Sequence, residues 1–444
     1  MSSNPNQFRL ATYLGTGAIF LALLALIFFG MPKLDWITSP DNDQAAKLND
    51  PRASNFGSYS SGKKLTDRTA TGNADEEEEN PASIAGELVL RADSRKELER
   101  IFSMALKEGG EFKGIIPDLL AVRIKFPTKS AAKKFQDLLG EAATDNNYVV
   151  MAPDFPDGDN IPTDGAQPER NDPSSETLQP FGTRALEFLG VTGDNSSWGE
   201  NLTIAILDSG VYAHDSLSGI NIKQIDLVQS ASPEGDTGGE LDYTGHGTGV
   251  ASITHSVSPS ADLLSVRVLD SDGVGDTFTV AQGIMAAADN GANIINLSLG
   301  SYGDSIVLRD AIDYANGRGV AVVAASGNDG IEQVSYPAAY ENVIGVSAID
   351  AAGNFADFSN TGDGVDISAP GVGVHTAWDQ DGSANFSGTS AAAPFVSAAI
   401  AATMTRNPGY TVGQAAEQVK QSAQDTGAAG RDPQTGNGIL NLGE

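Results

Sequence analysis

Apolar positions change their spacing several times along this chain. Residues 10–31 carry no charge and include AIFLALLALIFFGM, close to the ~20 apolar residues that span a bilayer as a helix. A cleavable signal peptide would need small residues three apart just beyond the run, and Phe28 and Gly30 are a poor pair. An uncleaved signal anchor within 1–31 is therefore expected. Residues 32–82 lose all periodicity: Ser, Asp, Asn and Gly dominate, ending in ADEEEENP. Such a segment cannot bury enough apolar surface to fold and reads as an acidic tether.

Periodicity returns over 83–155. ELVLRA reads as a strand. SRKELERIFSMALKEG opens with Ser94 and Glu97 at capping-box spacing and sets Leu98, Ile101 and Ala105 on one helical face. LLAVRIKF alternates Val122, Ile124 and Phe126, SAAKKFQDLLGE gives a second helix, and NYVVMA gives a last strand. With another short strand near Phe112, the unit is a small α+β, ferredoxin-like split βαβ module. Nothing in it suggests chemistry. Residues 156–180 form a linker rich in Pro, Asp and Gly. Over 181–444 the apolar runs are short and uninterrupted: LTIAILDSG, ADLLSVRVL, NIINLSL, VAVVAAS, VIGVSAI. Helical stretches separate most of them, which predicts an α/β domain with a mainly parallel sheet covered on both faces.

Charge sharpens this division. From Glu176 to the end there are 8 Lys+Arg against 32 Asp+Glu, whereas from Gly86 to Ala152 there are 11 against 10. So acidic a main domain argues against nucleic acid or anionic lipid as partners. The absence of cysteine excludes disulfides, a thiol nucleophile and thiolate metal sites.

Candidate chemistry collects at the ends of the predicted elements, where active sites of such sheets gather. Asp208 ends the strand TIAILD; His246 opens a helix with glycine on both sides; Asn328 leaves a strand in ASGN; Ser390 stands at a helix start in FSGTSAAAP. Singly, each is an ordinary turn or capping residue. Together they supply what acyl transfer needs: an alcohol, a base near neutral pKa, a carboxylate to orient it and a carboxamide for an oxyanion.

In the order Asp208, His246, Ser390, and through LDSGV, GHGTGVAS, NLSLG, ASGN, YPAAYENVIGVSA, DISAPG and FSGTSAAAP, the chain resembles the subtilisin-like serine proteases from about Leu186 onward. The resemblance implies Asp208, His246 and Ser390 as a triad, with Asn328 and the Ser390 N–H as oxyanion donors. It implies that Gly273, Val274 and Gly275 and, opposite, Ser298, Leu299 and Gly300 clamp an extended polypeptide substrate by β-augmentation. Ser298 to Gly300 with Ala324, Ala325, Ser326 and Gly327 would wall a primary specificity pocket for an apolar side chain of medium or large size. Residues 83–155 look like the family's propeptide, a chaperone and inhibitor whose tail lies in the cleft until cut, here between 153 and 180. No cofactor is implied for the chemistry. Many relatives wrap a calcium ion in a longer loop than THSVSPS, the connection after the His246 helix, so the tight site is expected to be missing. Asp270, Asp272 and Asp276 could hold a weaker ion or act as hydrated surface carboxylates. Gly249 stands where relatives often carry a second histidine. The expectation is a membrane-tethered zymogen of a serine endopeptidase, with the catalytic domain outside the cytoplasm and released by processing. A silent peptide-binding relative and a peptide ligase or cyclase are the alternatives.

Overall fold

The computed structural model describes residues 82–140, 143–152, 178–228, 245–378, 382–426 and 429–443. The apolar run at 10–31, the expected tether up to residue 81, and residues 153–177, which include most of the expected linker, lie outside them. Among the described residues no helix is long and apolar enough to cross a membrane.

The first unit comprises β1 (Ser83–Arg91), α1 (Arg95–Lys107), β2 (Glu111–Ile116), β3 (Ala121–Lys125), α2 (Lys129–Leu139) and β4 (Thr144–Met151). Its strands run antiparallel in the order β2-β3-β1-β4. The apolar positions that alternate in β1 and β3 meet the stripes of both helices: Leu88, Leu90, Val122, Ile124 and Phe126 pack with Leu98, Ile101 and Phe135. Burying each such side chain contributes about 1.5–3 kcal/mol. α1 starts where the Ser94 hydroxyl accepts from the Glu97 N–H. Only this half of the expected capping box forms. The exposed Glu97 carboxylate turns instead to Arg100, 2.7 Å away at i+3, a surface ion pair that competes with the reach back to the cap.

The second unit is built on seven parallel strands. These are β5 (Thr203–Asp208), β6 (Ile222–Asp226), β7 (Asp262–Arg267), β9 (Ile294–Leu297), β10 (Ala321–Ala325), β11 (Ile344–Ile349) and β12 (Ile367–Pro370). Their order is β12-β11-β10-β9-β5-β7-β6. One face is covered by α3 (His246–Val257), α6 (Thr389–Arg406) and α7 (Val412–Gln421), the other by α4 (Thr277–Asp289) and α5 (Ile306–Asn316). The uninterrupted apolar run of β5 serves both: Ile204 and Ile206 join the α3 and α6 core, Ala205 and Leu207 the α4 and α5 core. A hairpin, β13 (Val374–Trp378) and β14 (Gly382–Phe386), leads directly into α6.

The two units share a sheet. β8 (Val274–Asp276) pairs antiparallel with β4, Val150 opposite Gly275 and Met151 opposite Val274, making the first sheet five-stranded. Arg123 pairs with Asp276 at 2.8 Å and lies over the Phe278 ring, and Arg91 pairs with Asp310.

Candidate active site

Asp208 lies at the carboxyl end of β5 and is 1% exposed. Its Oδ1 accepts from the Ser209 N–H at 2.8 Å and from His246 Nδ1 at 2.7 Å. A carboxylate can only accept, so Nδ1 carries the proton and the neutral imidazole keeps its lone pair on Nε2. His246 is the first residue of α3 and is 2% exposed. Both flanking glycines have a backbone reason. Gly245 caps the helix at φ 74°, in the left-handed region. A Cβ on Gly247 would stand 2.0 Å from the Gly210 carbonyl, because the turn that follows Asp208 crosses the helix there.

Ser390 is the second residue of α6 and is 1% exposed. The helix is capped by Gly388 (φ 144°), without a side-chain cap bond, so capping is not what the Ser390 hydroxyl does. That hydroxyl donates to the Ser298 carbonyl at 3.2 Å rather than to the imidazole. The Ser390 carbonyl would ordinarily receive the N–H of residue 394, but Pro394 has none; the Ser298 hydroxyl supplies the bond instead, at 2.9 Å. β9 and α6 are thereby tied together at the candidate nucleophile. The Ser390 N–H, in the first turn, is one of those a helix cannot satisfy from within.

Asn328 follows β10 and the Ser326-Gly327 turn. Its Oδ1 accepts from the Thr389 N–H at 2.9 Å and from the Thr389 hydroxyl at 2.8 Å. Those two bonds fix which end of the carboxamide is nitrogen. Nδ2 is buried without a hydrogen-bond partner among the described residues, 2.8 Å from where a Cβ on Gly388 would be. A buried amide donor left open beside the Ser390 turn is suited to an oxygen that arrives with a ligand.

The cleft runs beside these groups. Met151 exchanges both backbone bonds with Gly300, 3.0 and 2.9 Å, and the Ala152 N–H donates to the Gly273 carbonyl at 2.9 Å. The end of β4 is thus an extended strand bonded on one side to Gly273, Val274 and Gly275 and on the other to Gly300. Ser298 and Leu299 continue that second edge, both buried. Ala324, Ala325 and Ser326 are buried behind it, and Ser335 joins the two walls: its N–H donates to the Ser326 carbonyl, and its hydroxyl would lie 2.6 Å from a Cβ on Gly300.

Several partners carry no sequence signal of their own. Thr389, Ser298 as a side chain, and Ser335 are small hydroxyl residues whose bonding partners no local pattern marks. Tyr302 donates to Asp329 at 2.6 Å and accepts from Asn360 at 2.7 Å; burial and the neighbouring carboxylate raise its pKa. Asn360 in turn lies 2.3 Å from a Cβ placed on Gly327, so this network backs the pocket wall.

A calcium site was tested on the donors present. The connection after α3 is only Ser258 to Ala261, and the Ser258 hydroxyl is bonded to the Ala398 carbonyl. Asp270 Oδ1 accepts from two backbone N–H groups, and Asp276 is engaged by Arg123 and Thr279. These residues do not fit an ion. Among the described residues no group of three acidic or histidine side chains does.

Comparison with known proteins bears on the whole arrangement. Residues 199–438 match the Subtilase family. The minor extracellular protease Epr of Bacillus subtilis (strain 168) is 35% identical over 331 residues, 72% of this chain and 48% of that protein. Subtilisin BL of Lederbergia lenta is 38% identical over 252 residues, 55% of this chain and 90% of that protein. Among solved structures, fervidolysin of Fervidobacterium pennivorans, described as a keratinolytic enzyme related to subtilisin, superposes with a TM-score of 0.66 at 25% identity. That match covers 82% of this chain and 61% of fervidolysin. The chain thus spans about half the length of Epr and most of subtilisin BL.

Proposed function

This chain belongs to the subtilase family, and we propose that it is a serine endopeptidase made as a membrane-tethered zymogen. Ser390 Oγ attacks the scissile carbonyl while its proton passes to His246 Nε2. Asp208 holds the imidazole in the required tautomer and stabilises the imidazolium. The oxyanion is received by the Ser390 N–H and Asn328 Nδ2. His246 then gives the proton to the leaving amine, and water, deprotonated by the same imidazole, releases the acyl group from Ser390. For the first step the Ser390 hydroxyl leaves the Ser298 carbonyl and gives its proton to the imidazole instead. The observation that carries the reading is the buried 2.7 Å bond between His246 and Asp208, set beside the open Asn328 amide at the Ser390 turn.

The strand from Val150 to Ala152 supports the zymogen reading, because it occupies both edges that an extended substrate would use. Residues 83–155 then act as the propeptide, cut between 153 and 180, and the apolar run at 10–31 anchors the uncut protein with its catalytic domain outside the cytoplasm. Polypeptides are the substrates, with an apolar side chain in the pocket between 298–300 and 324–327. No cofactor takes part.

Digestion of a peptide library by the purified protein, read by mass, tests the activity. Each cut should add one water, and Ser390→Ala should make none. Products lacking that water would mark a ligase, and no product at all a silent binding relative. Immunoblots of wild type beside Ser390→Ala test the zymogen: a shortened form is expected only in wild type. Equal-sized products in both would remove self-cleavage from the account.

A further inference from the structure

Asp208 holds the His246 ring through Nδ1. A further contact comes from the hairpin. The Phe386 ring, 1% exposed, stands 5.2 Å from the imidazole at 74°, edge to face. Trp378 in turn stands 5.3 Å from Phe386, at 68°. Such pairs are directional as well as apolar. Trp378 packs closely over Gly249, one turn along α3 from His246, where a side chain would crowd it. A Cβ there would lie 3.0 and 3.1 Å from the Trp378 Cζ3 and Cε3 atoms and 3.4 Å from Phe386 Cδ1. Gly249 is not among the glycines with positive φ, so it is packing and not backbone conformation that crowds a side chain there. A glycine inside a helix is less favourable than alanine, and this position accepts that loss.

The hairpin is also bonded to the histidine helix. The Thr376 hydroxyl donates to the Gly249 carbonyl at 2.9 Å, and the Ala377 N–H to the Ser252 hydroxyl at 3.2 Å. At its other end β14 runs through Ser387 and Gly388 into α6, so Phe386 is four residues from Ser390. The same hairpin therefore touches the imidazole and leads into the helix that carries the serine.

We propose that the β13–β14 hairpin sets the geometry between base and nucleophile: Phe386 is a positioning residue for His246, and Gly249 with Trp378 forms the complementary seat that holds it. This rests on the serine endopeptidase reading.

The test compares Gly249→Ala, Trp378→Leu, their double variant and Phe386→Leu in the processed enzyme. An amide and an activated ester with the same acyl part are the substrates, and rates are expressed per titrated active site. Gly249→Ala should lower kcat on the amide about tenfold with KM within about twofold, since sub-ångström displacement of a catalytic group is costly. The ester should suffer less, because its leaving group needs little protonation by His246. Phe386→Leu should act in the same direction. Trp378→Leu, by clearing the clash, should return the Gly249→Ala enzyme to within about threefold of the Trp378→Leu single variant. If Gly249→Ala lowers only the melting temperature, or if the double variant is no better than Gly249→Ala, the inference is overturned. Hydrolysis that persists after Ser390→Ala would instead overturn the functional reading, and this inference with it.

Discussion

At the scale of single residues, Thr389 and Asn328 orient one another before any substrate arrives. Thr389 gives both its N–H and its hydroxyl to Asn328 Oδ1, and its hydroxyl also accepts the Gly327 N–H at 3.2 Å. The open amide is therefore aimed in advance. Asn328→Leu should lower kcat by ~10²–10³ with little change in KM, the size known for losing this donor in enzymes of the family. Single-turnover kinetics on the purified protein measures it; an unchanged acylation rate would exclude Asn328 from the oxyanion site. Asp208, His246, Asn328 and Ser390 could be singled out because each is a polar residue at the end of an apolar run or helix. Thr389 and the Ser298 hydroxyl could not: their partners lie 61 and 92 residues away, and only folding reveals such pairings.

At the scale of elements, β4 is an end cap for two helices of the other unit. Asp145 Oδ2 accepts from the Ile306 N–H at 2.7 Å and the Ser305 hydroxyl at 3.1 Å, at the start of α5. Asn147 Oδ1 accepts from the Phe278 N–H and the Thr277 hydroxyl at the start of α4. Burial pushes the Asp145 carboxyl up to about 6, against the bonds that favour its charged form. A pKa raised in the docked state means that docking is favoured when the group is protonated. The added stability is full below about 4, the range of a free aspartate, and fades as pH rises through about 6. In the uncut Ser390→Ala chain, this module should therefore undock more readily at pH 7 than at pH 4, by about 2–3 kcal/mol at most. Asp145→Asn should flatten that dependence; hydrogen exchange of α5 as a function of pH checks it. A slope that survives the substitution would assign the dependence to other groups. The elements themselves were legible, since period-2 and period-3.6 patterns recur where β1 to β4, α1 and α2 form. The pairing of β4 with β8 was not, because three residues of mixed polarity at a sheet edge leave no pattern.

At the scale of the molecule, the two units differ in charge, with 8 basic against 32 acidic residues after Glu176 and 11 against 10 between Gly86 and Ala152. Where they meet, the basic partners come from the smaller unit: Arg91 to Asp310 and Arg123 to Asp276. On the zymogen reading, Arg123→Ala should leave the partly buried Asp276 without its cation, still bonded by Thr279 and Asn147, and speed release of the cut module about tenfold. Salt should hasten release as well, since screening shortens from about 10 Å at 0.1 M to about 3 Å at 1 M. Loss of inhibition followed over time in both conditions would show it, and salt-independent release would refute it. The parallel sheet was readable from its uninterrupted apolar runs, whereas the docking of the units depends on contacts no run encodes. One consequence follows from Met151 lying bonded to Gly300 and opposite Val274. Strand rims with vacant backbone groups invite a neighbouring copy to pair with them, the usual start of aggregation. In this chain β4 covers both rims of the cleft, so on the zymogen reading concentrated precursor should stay dispersed where the same amount of stripped enzyme begins to clump.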